Sequence, residues 1–181
     1  MMENYTAFLR AINVGKHNRV KMIRIKEILL DLGLTDIKTW LQSGNVIFKS
    51  DESPDTLRLK IEKAFLSELG FEVPTIIRSV RDLESIINDC PFSIEKIKHI
   101  EQTSNITCLY FAMANHDFTD ADRQALESRK SEKEDYVVLK NNMYMVFDSG
   151  IRNTKLISKL KTPITVRNHN TLVKVLTLAK S

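Results

Sequence analysis

The chain has 181 residues, of which 43% are hydrophobic and 28% charged, and its formal net charge is +4. These values are typical of a folded globular protein, and the length suits two small domains. The sequence has no run near the roughly 18 consecutive apolar residues of a membrane-spanning helix, and its two cysteines, Cys90 and Cys108, are not in metal-type spacing. We therefore expect a cytoplasmic protein with no membrane association.

The first half of the sequence predicts the element order β-α-β-β-α-β. Strands are predicted at residues 5–11, 37–42, 45–49 and 74–79, with a two-residue hairpin turn at Ser43-Gly44. Apolar residues at helical spacing predict a first helix before Gly33. Ser53-Pro54 begins the second predicted helix and Gly70 ends it.

The second half repeats this order. Strands are predicted at residues 105–113, 136–140, 143–147 and 164–167, with a hairpin turn at Asn141-Asn142. A helix is predicted to begin near Thr119, where Thr119 and Asp122 resemble a capping box. A second helix is predicted to carry Leu156, Ile157 and Leu160.

An internal duplication explains the repeated order. Residues 73–87 align with residues 162–176, and three identities lie 89 positions apart: Pro74 with Pro163, Arg78 with Arg167, and Leu83 with Leu172. The predicted fold class is α+β, with two tandem ferredoxin-like halves that are pseudo-duplicated and packed on each other. The predicted domains are residues 1–90 with a trailing helix, a linker at 91–104, and residues 105–181 with a C-terminal helix.

Basic residues concentrate in two stretches that contain no acid. Residues 4–26 hold six Lys or Arg, and residues 149–181 hold seven. In the first stretch, residues 12–19 form a loop between a predicted strand and a helix N-terminus, where free N–H groups attract anions. The other interpretation is an ordinary turn with its basic side chains in water.

Motifs for metal binding and nucleophilic catalysis are absent from the sequence. The four histidines are widely spaced, and there is no Cys-x-x-Cys or G-x-S-x-G motif. Gly15-Lys16 is not a Walker motif, since Arg10 stands where glycine is needed. We predict no cofactor and no metal. Base stacking on Phe8, Trp40 and Phe48, as in RNA-binding sheets, is a weaker alternative.

His169 lies in the sequence TVRNHNT, which looks like a catalytic motif. The repeat pairs His169 with Val80, and in this position Asn168 or Asn170 suits the N-cap of a helix. A residue whose counterpart is apolar is a poor candidate for a shared catalytic base. The candidate functional residues of this segment are therefore Arg167 and the asparagines beside it.

Several motifs resemble one family. FLRAINVG (residues 8–15), LQSGNVIF (41–48), FDSGIRNTKL (147–156) and VRNHNTLVKV (166–175) are similar, in this order, to segments of the bacterial conserved-hypothetical proteins known as domain of unknown function 1697. The resemblance implies a two-part α+β fold and no established activity. The sequence departs from the family pattern at Ala11 and Lys16, where the family has glycine, and at Ser149, where it has aspartate.

The polar positions of these motifs supply the candidate site. The candidate ligand-binding residues are Arg10, Asn13, Lys16, Gln42, Asn45, Lys155, Arg167, Asn168 and Asn170. Arginine and amide side chains suit phosphate groups and base edges, so the first hypothesis is a binding module for an anionic small molecule or nucleic acid. The alternatives are a structural or interaction protein without a small ligand, and a metal-independent enzyme acting on a small anionic substrate.

Overall fold

The structure is a computed structural model that describes residues 2–15 and 17–181, with side chains at all of these positions except residue 153. Its eight strands form two antiparallel sheets of four. The first contains β1 (Glu3–Leu9), β2 (Thr35–Trp40), β3 (Asn45–Ser50) and β4 (Thr75–Ser79), in the order β2-β3-β1-β4. The second contains β5 (Leu109–Ala114), β6 (Glu134–Leu139), β7 (Asn142–Phe147) and β8 (Ile164–Asn168), in the order β6-β7-β5-β8.

Six α-helices accompany these sheets in the described residues, which confirms the mixed α+β class. They are α1 (Met22–Asp31), α2 (Pro54–Leu69), α3 (Val80–Asn88), α4 (Ile94–Ser104), α5 (Asp120–Glu127) and α6 (His169–Lys180). The chain divides into two compact units, one formed by Met1–Ser85 with Val173–Ser181 and the other by Ile86–Leu172. The unit boundaries therefore fall within α3 and α6.

The core of the first unit lies between its sheet and two helices. Tyr5, Ala7 and Leu9 project from one face of β1, and they belong to the same buried cluster as Ile25 of α1 and Phe65 of α2. The alternate side chains of β1, Thr6 and Phe8, are also buried. Because successive side chains of a strand point to opposite faces, both faces of β1 are covered.

The second unit has a separate core. Ala112 of β5 and Met143 of β7 form a cross-strand pair and lie in one buried cluster with Leu126 of α5. Leu156, from the connection between β7 and β8, completes this cluster. The connection is therefore part of the packed structure although it is not an α-helix.

Polar caps begin the helices where the sequence predicts them. Ser53 accepts a hydrogen bond from the Thr56 N–H at the start of α2, and Gly70 ends that helix with φ 76°. Thr119 and Asp122 form a reciprocal capping box at α5. At α6 the Asn168 Oδ1 accepts from the Thr171 N–H at 2.9 Å, so Asn168 is the N-cap.

The helix predicted around residues 156–160 is wrong. The connection contains a short 3-10 helix, Ile151–Asn153, followed by turns. Lys159 has φ 60°, a left-handed conformation that interrupts an α-helix. The Asp122 carboxylate accepts from the N–H groups of Lys161 at 2.6 Å and Thr162 at 3.3 Å, and these bonds hold the backbone in a non-helical course.

Both hairpin turns differ from the predictions. The turn between β2 and β3 spans four residues, 41–44, because Trp40 pairs with Asn45. Leu41 and Gly44 have φ values of 60° and 80°. In the second hairpin Leu139 pairs with Asn142, so the turn is Lys140-Asn141, one position earlier than predicted.

The segment between the two halves, expected to be a linker, contains a helix. In α4, Ser93 is the N-cap and accepts from the Lys96 N–H, while Ile100 is buried. Within the described part of the chain, no helix has both the length and the apolar character needed to cross a bilayer.

Candidate ligand-binding site

Two loops of the first unit meet at one end of its sheet. One follows β1, and the other is the turn between β2 and β3. The Leu9 N–H donates to the Gly44 carbonyl at 2.8 Å, and the Arg10 N–H donates to the Pro74 carbonyl at 2.9 Å. We name the described residues 10–15, 17–21 and 41–45 the loop cluster.

Asn13 holds the loop cluster together. Its Nδ2 donates to the Val20 carbonyl at 3.0 Å and to the Gln42 carbonyl at 2.9 Å, while its Oδ1 accepts from the Val20 N–H at 2.9 Å. The backbone N–H of Asn13 donates to the Asn18 carbonyl. Asn13 thus closes its own loop and binds that loop to the neighbouring turn.

Gly44 allows the close approach of the turn to β1. An added Cβ at this position would lie 2.7 Å from the Cβ of Leu9 and 2.8 Å from the Cδ1 of Ile12. Gly44 also has φ 80°, which side chains disfavour. Only glycine fits this position without moving the buried Ile12.

Asn45 and Gln42 have different environments. Asn45 is fully buried, and its Nδ2 donates to the Trp40 carbonyl at 2.8 Å and to the Ser43 Oγ at 3.2 Å. The Gln42 side chain is exposed. The structure therefore presents Gln42 to solvent and uses Asn45 to shape the turn.

The loop cluster concentrates unusual backbone conformations and exposed side chains. Ala11, Asn13, Asn18 and Leu41 all have φ between 50° and 60°. Leu41 is also 53% exposed, so its conformation is not explained by burial of its side chain. Left-handed non-glycine residues cost about 1–3 kcal/mol each and are concentrated at functional sites.

The start of α1 is the most cationic part of the loop cluster. Arg19 and Lys21 lie just before this helix and are exposed, as is Arg10, which follows β1 in the same cluster. Lys21 occupies the N-cap position of α1 without a side-chain capping bond, and the first turn of the helix holds no acid. The other five described helices each begin with a capping side chain, from Ser53, Ser79, Ser93, Thr119 or Asn168. Among the described helices, α1 is therefore the one whose first N–H groups have no side-chain cap, and no acid of its first turn offsets its positive dipole end.

Between described residues of the first unit, the ion pairs involve other cations. Their basic members are Arg24, Lys49, Arg58, Lys60 and Lys180. Arg19 donates two hydrogen bonds to the Gly15 carbonyl, at 3.3 and 3.4 Å. Because a carbonyl is neutral, these bonds do not neutralise the charge of the Arg19 guanidinium. The charges of Arg10, Arg19 and Lys21 are thus available to an external anion.

Four predicted site residues lie in the second unit. Asn168 caps α6, and Lys155 and Asn170 are exposed. The half-buried Arg167 donates from Nη1 to the Thr165 Oγ1 at 2.8 Å and to the Val166 carbonyl at 2.9 Å. Burial lowers the pKa of this guanidinium to about 10. The ring of His169 is stacked on Phe111, with centroids 6.1 Å apart.

Of the predicted set, the structure brings together Arg10, Asn13, Gln42 and Asn45. Lys16 lies outside the described residues. The predicted set omits Lys21, which stands at the start of α1. The sequence signal for Lys21 is the absence of a capping residue directly before the helix, where Arg19-Val20-Lys21 precedes Met22. Among the described residues, no group of three or more His, Cys, Asp or Glu side chains could hold a metal ion.

Comparisons with known proteins agree on the family and the fold. The family model "Protein of unknown function (DUF1697)" matches residues 2–144. The chain is similar in structure to the conserved bacterial protein SP0830 from Streptococcus pneumoniae, with a TM-score of 0.73, 23% sequence identity and coverage of 99% of both chains. No curated protein matches the sequence.

Proposed function

We propose that this chain, which belongs to the DUF1697 family of proteins of unknown function, is a binding module for a ligand that carries phosphate or another anionic group. Nucleotides and nucleic acids are included in this class. The observation that carries the proposal is the start of α1, which has no side-chain cap and no acid in its first turn and directly follows the exposed Arg19 and Lys21; the exposed Arg10 belongs to the same loop cluster. Helix N-termini with nearby cations favour bound anions.

Preorganisation of the loop cluster supports this proposal. Asn13 and Gly44 fix the two loops before any ligand arrives. A ligand therefore does not need to order these loops, and that entropy cost is absent from its binding free energy. The exposed Gln42 amide adds a neutral donor and acceptor beside the cations.

A structural or interaction role is the second candidate, and a specific observation favours it. Several polar residues of the shared motifs satisfy groups of their own chain: Asn13 and Asn45 hold the turns, and Asn168 caps α6. Residues with such roles are needed for the fold whether or not a ligand exists. The two candidates differ in what Arg10 and Lys21 do, because neither side chain holds the described fold together.

The test is binding of the full chain to a fluorescent single-stranded RNA of about 15 nucleotides, to ADP and to inorganic pyrophosphate, at several salt concentrations. We expect binding that weakens with salt. Arg10→Ala/Lys21→Ala should reduce affinity at least about tenfold and lower the salt slope by about 1.4 for single-stranded RNA.

The control is Lys98→Ala/Lys133→Ala, which removes the same charge from exposed lysines of the second unit. It should retain most of the affinity. Equal losses in both variants would mean that net charge, and not the loop cluster, attracts the ligand. Failure to bind any of the three ligands at low salt would favour the structural role.

We also propose that each unit is ferredoxin-like and that the two arose by duplication. Counted within each unit, the strand orders are the same, 2-3-1-4. The aligned arginines supply independent support, since Arg78 donates from Nη1 to the Ile77 carbonyl at 2.9 Å and Arg167 donates to the Val166 carbonyl at 2.9 Å. The second unit has a 3-10 helix and turns where the first has α2, so the duplication concerns the four strands and the helix after the first strand. An experimental structure in which these elements of the two units superpose would support this proposal, and one in which they do not would contradict it.

The proposed location is the cytoplasm. Cys90 and Cys108 are free thiols, as is usual for proteins of a reducing compartment. Burial raises the pKa of the Cys108 thiol to about 11, which keeps it protonated and unreactive at neutral pH. Fractionation of cells that express the tagged chain would test this location.

A further inference from the structure

The outer face of α2 carries an apolar stripe that the core of the first unit does not use. Leu57, Ile61 and Phe65 point inward and are buried. Leu59 and Leu66 point outward and are 59% and 49% exposed. A helix with apolar residues on both faces generally has a partner on each.

Hollows lie on both sides of this stripe. One, of about 440 Å³, is lined by Leu59, Leu66, Val73 and Pro74 among others. The other, of about 520 Å³, lies between α1 and α2 and includes Ile28 and Leu32 of α1. The same surface thus offers projecting leucines and adjacent spaces that can receive a leucine.

The order of residues along the stripe is self-complementary. The stripe and its edges read Leu59, Glu62, Lys63 and Leu66, which is the i, i+3, i+4, i+7 spacing of a helix contact face; Glu62 is half-buried at the edge and the other three are exposed. When two copies of α2 lie antiparallel about a two-fold axis between positions 62 and 63, Leu59 faces Leu66 of the other copy. Glu62 of each copy then faces Lys63 of the other copy, so the two-fold axis produces two equivalent ion pairs.

The Glu62 carboxylate is already held in position. Its Oε1 accepts from the Thr75 N–H at 2.8 Å, and its Oε2 accepts from Arg58 at 3.2 Å. A carboxylate oxygen accepts more than one hydrogen bond, so both oxygens can still accept from a lysine. Lys63 is exposed and can adjust to meet it.

From this charge complementarity and the matching leucines we infer that the outer face of α2 is the contact of a symmetric, antiparallel homodimer of this chain. Closed two-fold contacts require such a self-complementary surface. α2 is 16 residues long, about 24 Å. A single helix face of this length buries less than the roughly 800 Å² per partner of a standard interface. We therefore expect the dissociation constant of the dimer to be in the micromolar range or above.

Sedimentation equilibrium of the full chain between about 1 µM and about 1 mM tests the inference. The unmodified chain should show a monomer–dimer equilibrium. Leu66→Asp should weaken the dimer by at least about 100-fold. Lys63→Glu, which places like charges opposite each other, should weaken it by about tenfold or more. Because both side chains are exposed, thermal melting should remain close to that of the unmodified chain.

Matched controls lie on α4, where Ile94 is 64% exposed and Lys98 is also exposed. Ile94→Asp and Lys98→Glu make the same chemical changes away from α2 and should leave the dimer intact. An unmodified chain that stays monomeric over the whole range would overturn the inference. A dimer that persists in both Leu66→Asp and Lys63→Glu would do the same.

Cysteine pairing tests the antiparallel register. In a Cys90→Ser background, a mixture of Leu59→Cys and Leu66→Cys chains should form a disulfide-linked dimer. Either chain alone should not, since like positions would lie about 10 Å apart along the helix, too far for a disulfide. Efficient linking of one variant with itself would contradict the antiparallel arrangement.

Discussion

The side-chain nitrogen of Asn13 lies 2.9 Å from the main-chain oxygen of Gln42 and joins two loops that are 29 positions apart in the sequence. The same side chain makes two hydrogen bonds with the backbone of Val20. One amide therefore fixes both loops of the candidate site.

Replacing Asn13 with glycine should destabilise the protein by about 2–3 kcal/mol, because three hydrogen bonds are lost at about 1 kcal/mol each. Glycine tolerates the left-handed backbone at this position, so the loss reports the side chain. Asn105→Gly is the matched control, since Asn105 is also left-handed and caps α4 through its backbone N–H. It should change the free energy of urea unfolding by less than about 0.5 kcal/mol. Equal effects would contradict the role assigned to Asn13.

Gly44→Ala should cost at least about 3 kcal/mol, because a methyl group there meets Leu9 and Ile12 and the backbone has positive φ. Gly70 is the comparison position, since its φ of 76° is similar and an added methyl group would meet no atom within 4 Å. Gly70→Ala should cost only about 1 kcal/mol. Chemical denaturation of the two variants checks the difference. Similar losses would mean that backbone strain alone accounts for Gly44.

Asp122 should make stability depend on acid pH. Burial opposes its ionisation, but hydrogen bonds from Thr162, Thr119 and Lys161 hold the pKa of this carboxyl well below its usual range. A carboxyl group with a lower pKa in the folded state binds fewer protons there than in the unfolded chain. Its stabilisation is therefore present above the unfolded pKa of about 3.9 and is lost as pH falls through the folded value.

Asp122→Asn should cost about 2–4 kcal/mol at pH 7, since the buried network loses its charged acceptor. The difference from the unmodified chain should begin to shrink below about pH 5 and should continue to shrink below pH 3, as the pH approaches the lowered pKa of the folded state. Asp120→Asn, an exposed acid in the same helical turn, is the control and should cost less than about 1 kcal/mol. Urea unfolding at a series of pH values measures both variants, and a pH-independent difference would contradict this account.

The C-terminal segment should determine the environment of the one tryptophan. Lys174 lies over the ring of Trp40, with its Nζ 5.3 Å from the centroid. Lys38 donates to the Leu178 carbonyl at 3.2 Å. Removing residues 173–181 should expose Trp40, shift its fluorescence emission to longer wavelength and lower the melting temperature. Removing Ser181 alone should leave the emission unchanged. An unshifted spectrum in the longer truncation would show that Trp40 does not depend on the segment.

Local signals in the sequence predict much of the fold. Ser53, Thr119 and Asn168 lie where they were expected to cap helices, because capping depends on residues three positions apart. The strand pattern also predicts both sheets. The helix expected at residues 156–160 does not form: Lys159 has φ 60°, and Asp122, about 40 positions away, binds the backbone directly after it at Lys161 and Thr162. A pattern read over a few neighbouring residues does not include Asp122, so it cannot predict these hydrogen bonds.

The candidate site was predictable only in part. Motif residues such as Arg10 and Gln42 are exposed in the loop cluster as a ligand site requires. Asn13 and Asn45 belong to the same motifs, but they bind backbone groups of their own chain. The sequence alone does not distinguish an asparagine that contacts a ligand from one that closes a turn, because the two roles differ only in their tertiary contacts.

The first unit includes the last nine residues of the chain, Val173–Ser181. A ribosome makes the four strands of that unit early and its final segment last. The buried Val175 and Ala179 can therefore join the unit only after the second unit, Ile86–Leu172, has been synthesised. The first unit thus begins to be made before the second and is completed after it.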